Sequence, residues 1–305
     1  SGNVGMIVAD IGDDVSLTLT NVDVNMTVES SGGNAGGIAG SVGKDFQVTS
    51  TGSTIAGTVK GQAAAGGYFG TVTGSYTWDR SSTTLADGVS VVGNGGYNGQ
   101  FAGKLCKARK GDTVFTVKNS GDITLEAKVS GTGTSGGLFG VCEAGTKLEI
   151  ENALTVQGTV GNNEAAAAGG LLGKIEADFT LNMKSFQNNA SVVGTQASGG
   201  MFGEISSPFK MTKPSDAEIN INRAVGGGNG SAGGYAGKVS AGISVPSLTV
   251  DAIVSGANAG GILGEATNCC ILIEKPSVTG TAQVHGSAAA GGIVGLVSES
   301  AVELQ

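Results

Sequence analysis

Apolar and polar positions alternate in short runs along this chain, and one arrangement of small and apolar residues returns nine times. Each copy carries two small residues, two apolar ones, a glycine, one variable residue and a further apolar one. The copies read AGGIAGSV, AGGYFGTV, GQFAGKL, SGGLFGVC, AGGLLGKI, SGGMFGEI, AGGYAGKV, AGGILGEA and AGGIVGLV. Their last glycines, taken as anchors, are Gly40, Gly70, Gly103, Gly140, Gly173, Gly203, Gly237, Gly264 and Gly295. Two further β-branched runs lie between successive phrases. One follows the phrase, as in Phe46–Val48, Thr113–Val117, Leu148–Ile150, Phe179–Leu181, Ile219–Ile221 and Ile271–Ile273. The other ends in a valine near a glycine, as at Val59, Val92, Val129, Val160, Val193, Val225, Val254 and Val284. Period-two patterning bounded by glycine and asparagine is strand-and-turn chemistry. A repeat of roughly thirty residues is the signature of a solenoid, in which a unit buries its apolar face only by stacking on its neighbours.

These patterns predict an all-β protein: a parallel β-solenoid (β-helix) of nine to ten rungs of roughly thirty residues, with three strands per rung. Right-handed coiling is expected from the general preference of β-crossover-β connections. The whole of 1–305 reads as a single β-solenoid repeat domain, expected to be a fragment of a longer array. Gly5-Met6-Ile7 resembles the tail of one more repeat, with Ile7 falling 32 residues before Ala39.

The variable position after the anchor reads Ser41, Thr71, Lys104, Val141, Lys174, Glu204, Lys238, Glu265, Leu296. In-register stacking would set Lys174, Glu204, Lys238 and Glu265 as a surface ladder of alternating charge, favourable between neighbouring strands. Two residues back runs a wholly apolar column: Ala39, Phe69, Ala102, Phe139, Leu172, Phe202, Ala236, Leu263, Val294. Either the strand bends at the glycine and buries this column, or the rod shows an apolar stripe. In the second case Phe69, Phe139, Leu172, Phe202 and Leu263 form a candidate interaction stripe.

Composition narrows the function classes. Glycine supplies 56 of 305 residues and proline only 4, which suits tight corners stacked rung on rung and excludes collagen. The net charge of -8 and the lack of a basic stripe with interleaved aromatics argue against a nucleic-acid partner. No apolar run approaches a membrane span, so no membrane insertion is expected of this segment, and the first residues show no signal-peptide pattern. Of the four cysteines, Cys142 sits at an apolar position of the phrase, Cys106 follows Leu105, and Cys269–Cys270 lie four repeats away from Cys142. No disulfide framework follows; a vicinal disulfide or a metal site at Cys269–Cys270 is the one exception worth testing.

Catalytic chemistry on a β-helix needs paired carboxylates, or a base beside metal-holding carboxylates. The acidic residues are scattered: Asp10, Asp13 and Asp14; Asp79 and Asp87; Glu149 and Glu151; Glu176 and Asp178; Asp216 and Glu218. The last three pairs lie in comparable parts of three coils and could form an acidic stripe. Ile11–Val15 lacks the spaced ligands of a calcium loop. Arg80, Arg109 and Arg223 fall in separate repeats, and His285 sits in a turn. No nucleophile–base pair is expected, and no cofactor. Tyr76 and Trp78, with Asp79 and Arg80, are a candidate sugar-stacking platform, with packing inside the rung as the alternative. Threonine pairs such as Thr18/Thr20 and Thr71/Thr73 do not recur in every rung, so no flat ice-binding face is expected.

The motif GG-apolar-apolar-G, as in Gly136–Gly140, Gly169–Gly173 and Gly291–Gly295, resembles the GLUG motif. That repeat occurs in large bacterial surface and secreted proteins, including the N-terminal region of streptococcal IgA-cleaving metallopeptidases. The chain departs from it at Gln100 and at the alanines Ala39, Ala102 and Ala236. The resemblance implies a non-catalytic stalk, spacer or adhesin region at a bacterial cell surface or secreted from the cell. Its expected partners are a host protein or glycan, or other copies of the chain. It carries over no peptidase activity, because HExxH is absent. Two rival readings are a carbohydrate-active or carbohydrate-binding β-helix and a self-assembling filament subunit.

Overall fold

The computed structural model describes residues 2–79, 88–108, 113–176, 178–214 and 217–305. Arg80, Asp87, Arg109 and Asp216 lie outside them. All regular structure among the described residues is β-strand, in stacked coils of about 31 residues that form a β-solenoid.

The phrase strands run Val8–Ile11, Ala39–Val42, Phe69–Thr73, Ala102–Cys106, Phe139–Cys142, Leu172–Ile175, Phe202–Ile205, Ala236–Val239, Leu263–Thr267 and Val294–Ser298. They form one ten-stranded parallel sheet in that order. The extra N-terminal copy is therefore real, with a register one residue from expectation: Val8, not Ile7, pairs with Ala39. Ala9 stands where the other rungs have the anchor glycine.

After each phrase strand the chain turns into a second face and then a third. The third face ends in a short pre-phrase segment such as Asn34–Gly36, Ala64–Gly66 or Ser231–Gly233, so the coil has one more side than expected. Strands Thr146–Gly161 and Phe179–Val193 run through the second and third faces with little interruption. Several expected placements change: Val91 and Val192, not Val92 and Val193, stand in the buried valine column of the third face, and His285 lies in strand Gln283–Gly291, not in a turn. Ile219–Ile221 pairs with Phe186–Asn188 on the third face, and Phe209–Thr212 supplies the second-face strand of that rung.

The pre-phrase segment folds back on the phrase strand, and the anchor glycines make this close approach possible. A Cβ on Gly140 would lie 2.4 Å from the backbone nitrogen of Asn98, and one on Gly237 2.3 Å from that of Ser198. No side chain fits between layers so close, whatever the backbone angles.

The core fills the coil with one inward column after another. Its aromatic part clusters around Phe101, whose ring lies 5.1 Å from Tyr68, 4.6 Å from Trp78 and 4.8 Å from Phe115. A smaller group joins Phe202 to Phe209 and Tyr235. Gln100, which stands where other phrases have a second glycine, is fully buried. Its Nε2 donates to the carbonyl of Val89 at 2.9 Å, and its Oε1 accepts the Lys128 N–H at 2.8 Å. The amide thus links two rungs of the third face just ahead of the point where their own ladder begins, at Val91 and Val129.

Candidate interaction surfaces

The column proposed as an interaction stripe is internal. Phe69, Phe139, Leu172, Phe202 and Leu263 are all fully buried, so they present nothing to a partner. The reason lies at the anchor glycine. The ladder pairs Phe69 with Ala102 and Thr71 with Lys104 but skips the glycines between them, and every rung repeats this. Strict alternation is broken there, so both the residue before the glycine and the residue two after it point inward. The strand bends, and the apolar column is core.

Tyr76 and Trp78 are likewise inside. Trp78 is fully buried between Tyr68 and Phe101, and Tyr76 stacks on Phe46 with ring centroids 4.2 Å apart. Burial holds the Tyr76 phenol far above its ordinary range. Neither ring offers a face to a sugar.

The charge ladder is on the surface. Lys174 pairs with Glu204, Glu204 with Lys238 and Lys238 with Glu265, each directly opposite the next. Lys174 Nζ lies 3.8 Å from Glu204, and Lys238 Nζ 3.7 Å from Glu265. Half-exposed pairs of this kind contribute about 0.2–1 kcal/mol each; their value is in choosing the register. Glu265 is held more closely than the others. It accepts Ser231 Oγ at 2.6 Å and Thr267 Oγ1 at 3.1 Å. Burial opposes its ionisation. The Ser231 bond, the Lys238 charge and the bonds from Thr267 and Asn258 outweigh that and keep its carboxyl below the usual range. At the first rung the same column holds Asp10, which accepts Asn3 Nδ2 at 2.6 Å.

Among the described residues the acidic stripe does not form. On the second face Glu149 stands between Thr116 and Asn182, with no carboxylate on either side. Its carboxyl is lowered first by the hydrogen bond from Lys147, 2.6 Å away. Glu176 lies in the turn after the phrase, where its N–H donates to the Cys142 carbonyl. Asp13 also serves a turn, with Oδ1 accepting the Lys44 N–H at 2.7 Å. Among the described residues no three histidine, cysteine, aspartate or glutamate side chains gather as a metal site would need.

All four cysteines are free thiols. Cys269, just ahead of strand Cys270–Ile273, is buried, whereas Cys270 is exposed, so they share no site. Burial raises the Cys106 thiol to about 12 and puts Cys142 well above its ordinary value, which leaves both unreactive.

Two features escaped the sequence reading. On the third face Glu126, Gln157 and Asn189 stand directly opposite one another. Gln157 Nε2 donates to Glu126, and Asn222 Nδ2 donates to Asn189 at 3.1 Å. With Arg223 these side chains line an open hollow of roughly 470 Å³, floored by Gly158. The signal was present as polar residues at one register position in successive repeats. The second feature is a cleft on the second face beside Phe209–Thr212; its signal was the long interval between Gly203 and Gly237.

The chain matches no protein-family model, no curated protein and no solved structure.

Proposed function

We propose that this chain is a non-catalytic structural and interaction module of a bacterial cell-surface or secreted protein, a rigid spacer that presents its flanks to a host protein or glycan. The observation that carries this reading is the ten-rung phrase sheet with its apolar column inside and its lysine and glutamate ladder at the surface. Such a stack keeps its shape while its outer side chains vary freely. The resemblance of the GG-apolar-apolar-G phrases to the GLUG motif supports the surface location. Carbohydrate binding is the second reading, favoured by the amide row Gln157, Asn189 and Asn222 beside Glu126 and Arg223 in an open hollow.

Sedimentation across a concentration series, joined to screening on arrayed glycans and host surface proteins, tests these readings. A species of constant mass that binds an arrayed partner without altering it supports the module. Mass that grows with concentration points instead to the filament reading. Cleavage of an arrayed glycan contradicts the non-catalytic assignment.

A further inference from the structure

The second face is interrupted between two consecutive rungs. Strand Phe209–Thr212 pairs on one side with Phe179–Asn182, and Ile243–Val245 pairs on its far side with Ile271–Ile273. Among the described residues no ladder joins the two strands to each other. Yet the rungs are in register both before and after this point. Phe202–Ile205 pairs with Ala236–Val239 on the phrase sheet, and Asn220 pairs with Thr249 on the third face.

The cause is chain length. Residues 206–218 span the second face in one rung, whereas residues 240–247 span it in the next. Among the described residues the far edge of Phe209–Thr212 and the near edge of Ile243–Val245 are thus left without a ladder partner, and residues of both rungs line the cleft between them. Unpaired edges of this kind are templates for another strand.

The gap has its own chemistry. It is a cleft of roughly 560 Å³ whose lining includes Phe209, Lys210, Met211, Lys213, Pro246 and Lys275. Phe209 and Met211 are only half-buried, whereas their ladder neighbours Phe179 and Leu181 are fully covered. Three lysines against Glu274 make this a cationic spot on a chain of net charge -8. Lys213 Nζ is tied to the Ala217 carbonyl at 2.9 Å, while Lys210 and Lys275 are exposed.

We propose that this cleft captures an extended, acidic peptide segment of a partner protein by strand addition. The peptide backbone would pair with the edges of Phe209–Thr212 and Ile243–Val245. Its side chains point alternately to the two faces. One set then covers Phe209 and Met211, and the other carries carboxylates to Lys210 and Lys275. The site does not depend on the spacer role, since it follows from the interrupted ladder and the local charge alone.

The test is fluorescence anisotropy with a labelled ten-residue peptide of alternating glutamate and valine, titrated against the intact chain. Three comparisons accompany it: the same peptide with every second backbone nitrogen methylated, a Lys210→Glu/Lys275→Glu variant of the chain, and competition by inorganic polyphosphate. The expected result is saturable binding that weakens by about tenfold or more on methylation and on charge reversal, with little competition by polyphosphate. Amide resonances of 209–212 and 243–245 should shift on titration, a readout that holds even if the charge-reversed variant folds poorly. Absence of binding overturns the proposal. Equal binding of the methylated peptide, or displacement by polyphosphate, also overturns it, because either would show attraction to any polyanion rather than strand pairing.

Discussion

At the anchor glycines the nearest obstacles are mostly backbone atoms, either of a pre-phrase segment, as at Gly140 and Gly237, or of the neighbouring anchor glycine, as at Gly70 and Gly203. A Cβ on Gly237 would meet the nitrogen of Ser198 at 2.3 Å and its carbonyl carbon and oxygen at 2.8 Å. Relief would require the two layers to part along the whole stack. Gly237→Ala should therefore cost about 1–3 kcal/mol of stability, the usual range for overpacking, as read by chemical denaturation. Gly292→Ala is the matched control: nothing lies within 4 Å of its Cβ position, and its stability should stay within about 0.5 kcal/mol of the parent. The same glycines explain why the side-chain directions were only partly legible. Alternation counted back from the variable position put Phe69 and Phe202 on its face, but the ladder skips the glycine and reverses the parity. A bend of this kind has no apolar or polar signature of its own. Tyr76 and Trp78 were ambiguous for a related reason, since one aromatic pair fits either a core or a platform until its neighbours Phe46 and Phe101 are placed.

At the scale of strands, the in-register ladder was legible because charge alternates only if rungs stack with zero offset. Its consequence can be measured through Glu265. The folded carboxyl titrates below its unfolded value of about 4.3, so its contribution to stability is fully present above that pH. The contribution is lost as pH falls through the lower, folded value. Thermal melts of the parent chain and of Glu265→Gln should differ in that acidic window: the parent loses stability more steeply there, and the variant shows a shallower profile. Parallel profiles would mean that Ser231 and Lys238 do not hold the carboxylate. The placement of Ile219–Ile221 shows where strand reading fails. Its alternation is good, but the rung has residues to spare, and Phe209–Thr212 takes the second face first.

Across the whole molecule, one sheet of ten phrase strands ties the rungs together even where the second face opens. The nine phrases and their period made that architecture readable from the chain alone. The clefts were harder to read, because one shows only in the interval from Gly203 to Gly237 and the other only as polar residues at one register position, and neither carries a motif. The stack itself is most directly tested by distances along a single outward column. Thr124, Thr155, Gln187, Asn220, Thr249 and Ser277 stand directly opposite one another on six successive rungs. Pulsed electron resonance on paired spin labels at 124 and 249, 155 and 277, and 124 and 277, in a background where the exposed Cys270 is replaced by serine, reads the spacing. At about 4.8 Å per rung the first two pairs should lie about 19 Å apart and the third about 24 Å. Equal distances for the two four-rung pairs, with one further rung's increment for the third, is the result that in-register stacking requires. Unequal four-rung distances, or a third distance no longer than the others, would contradict the solenoid.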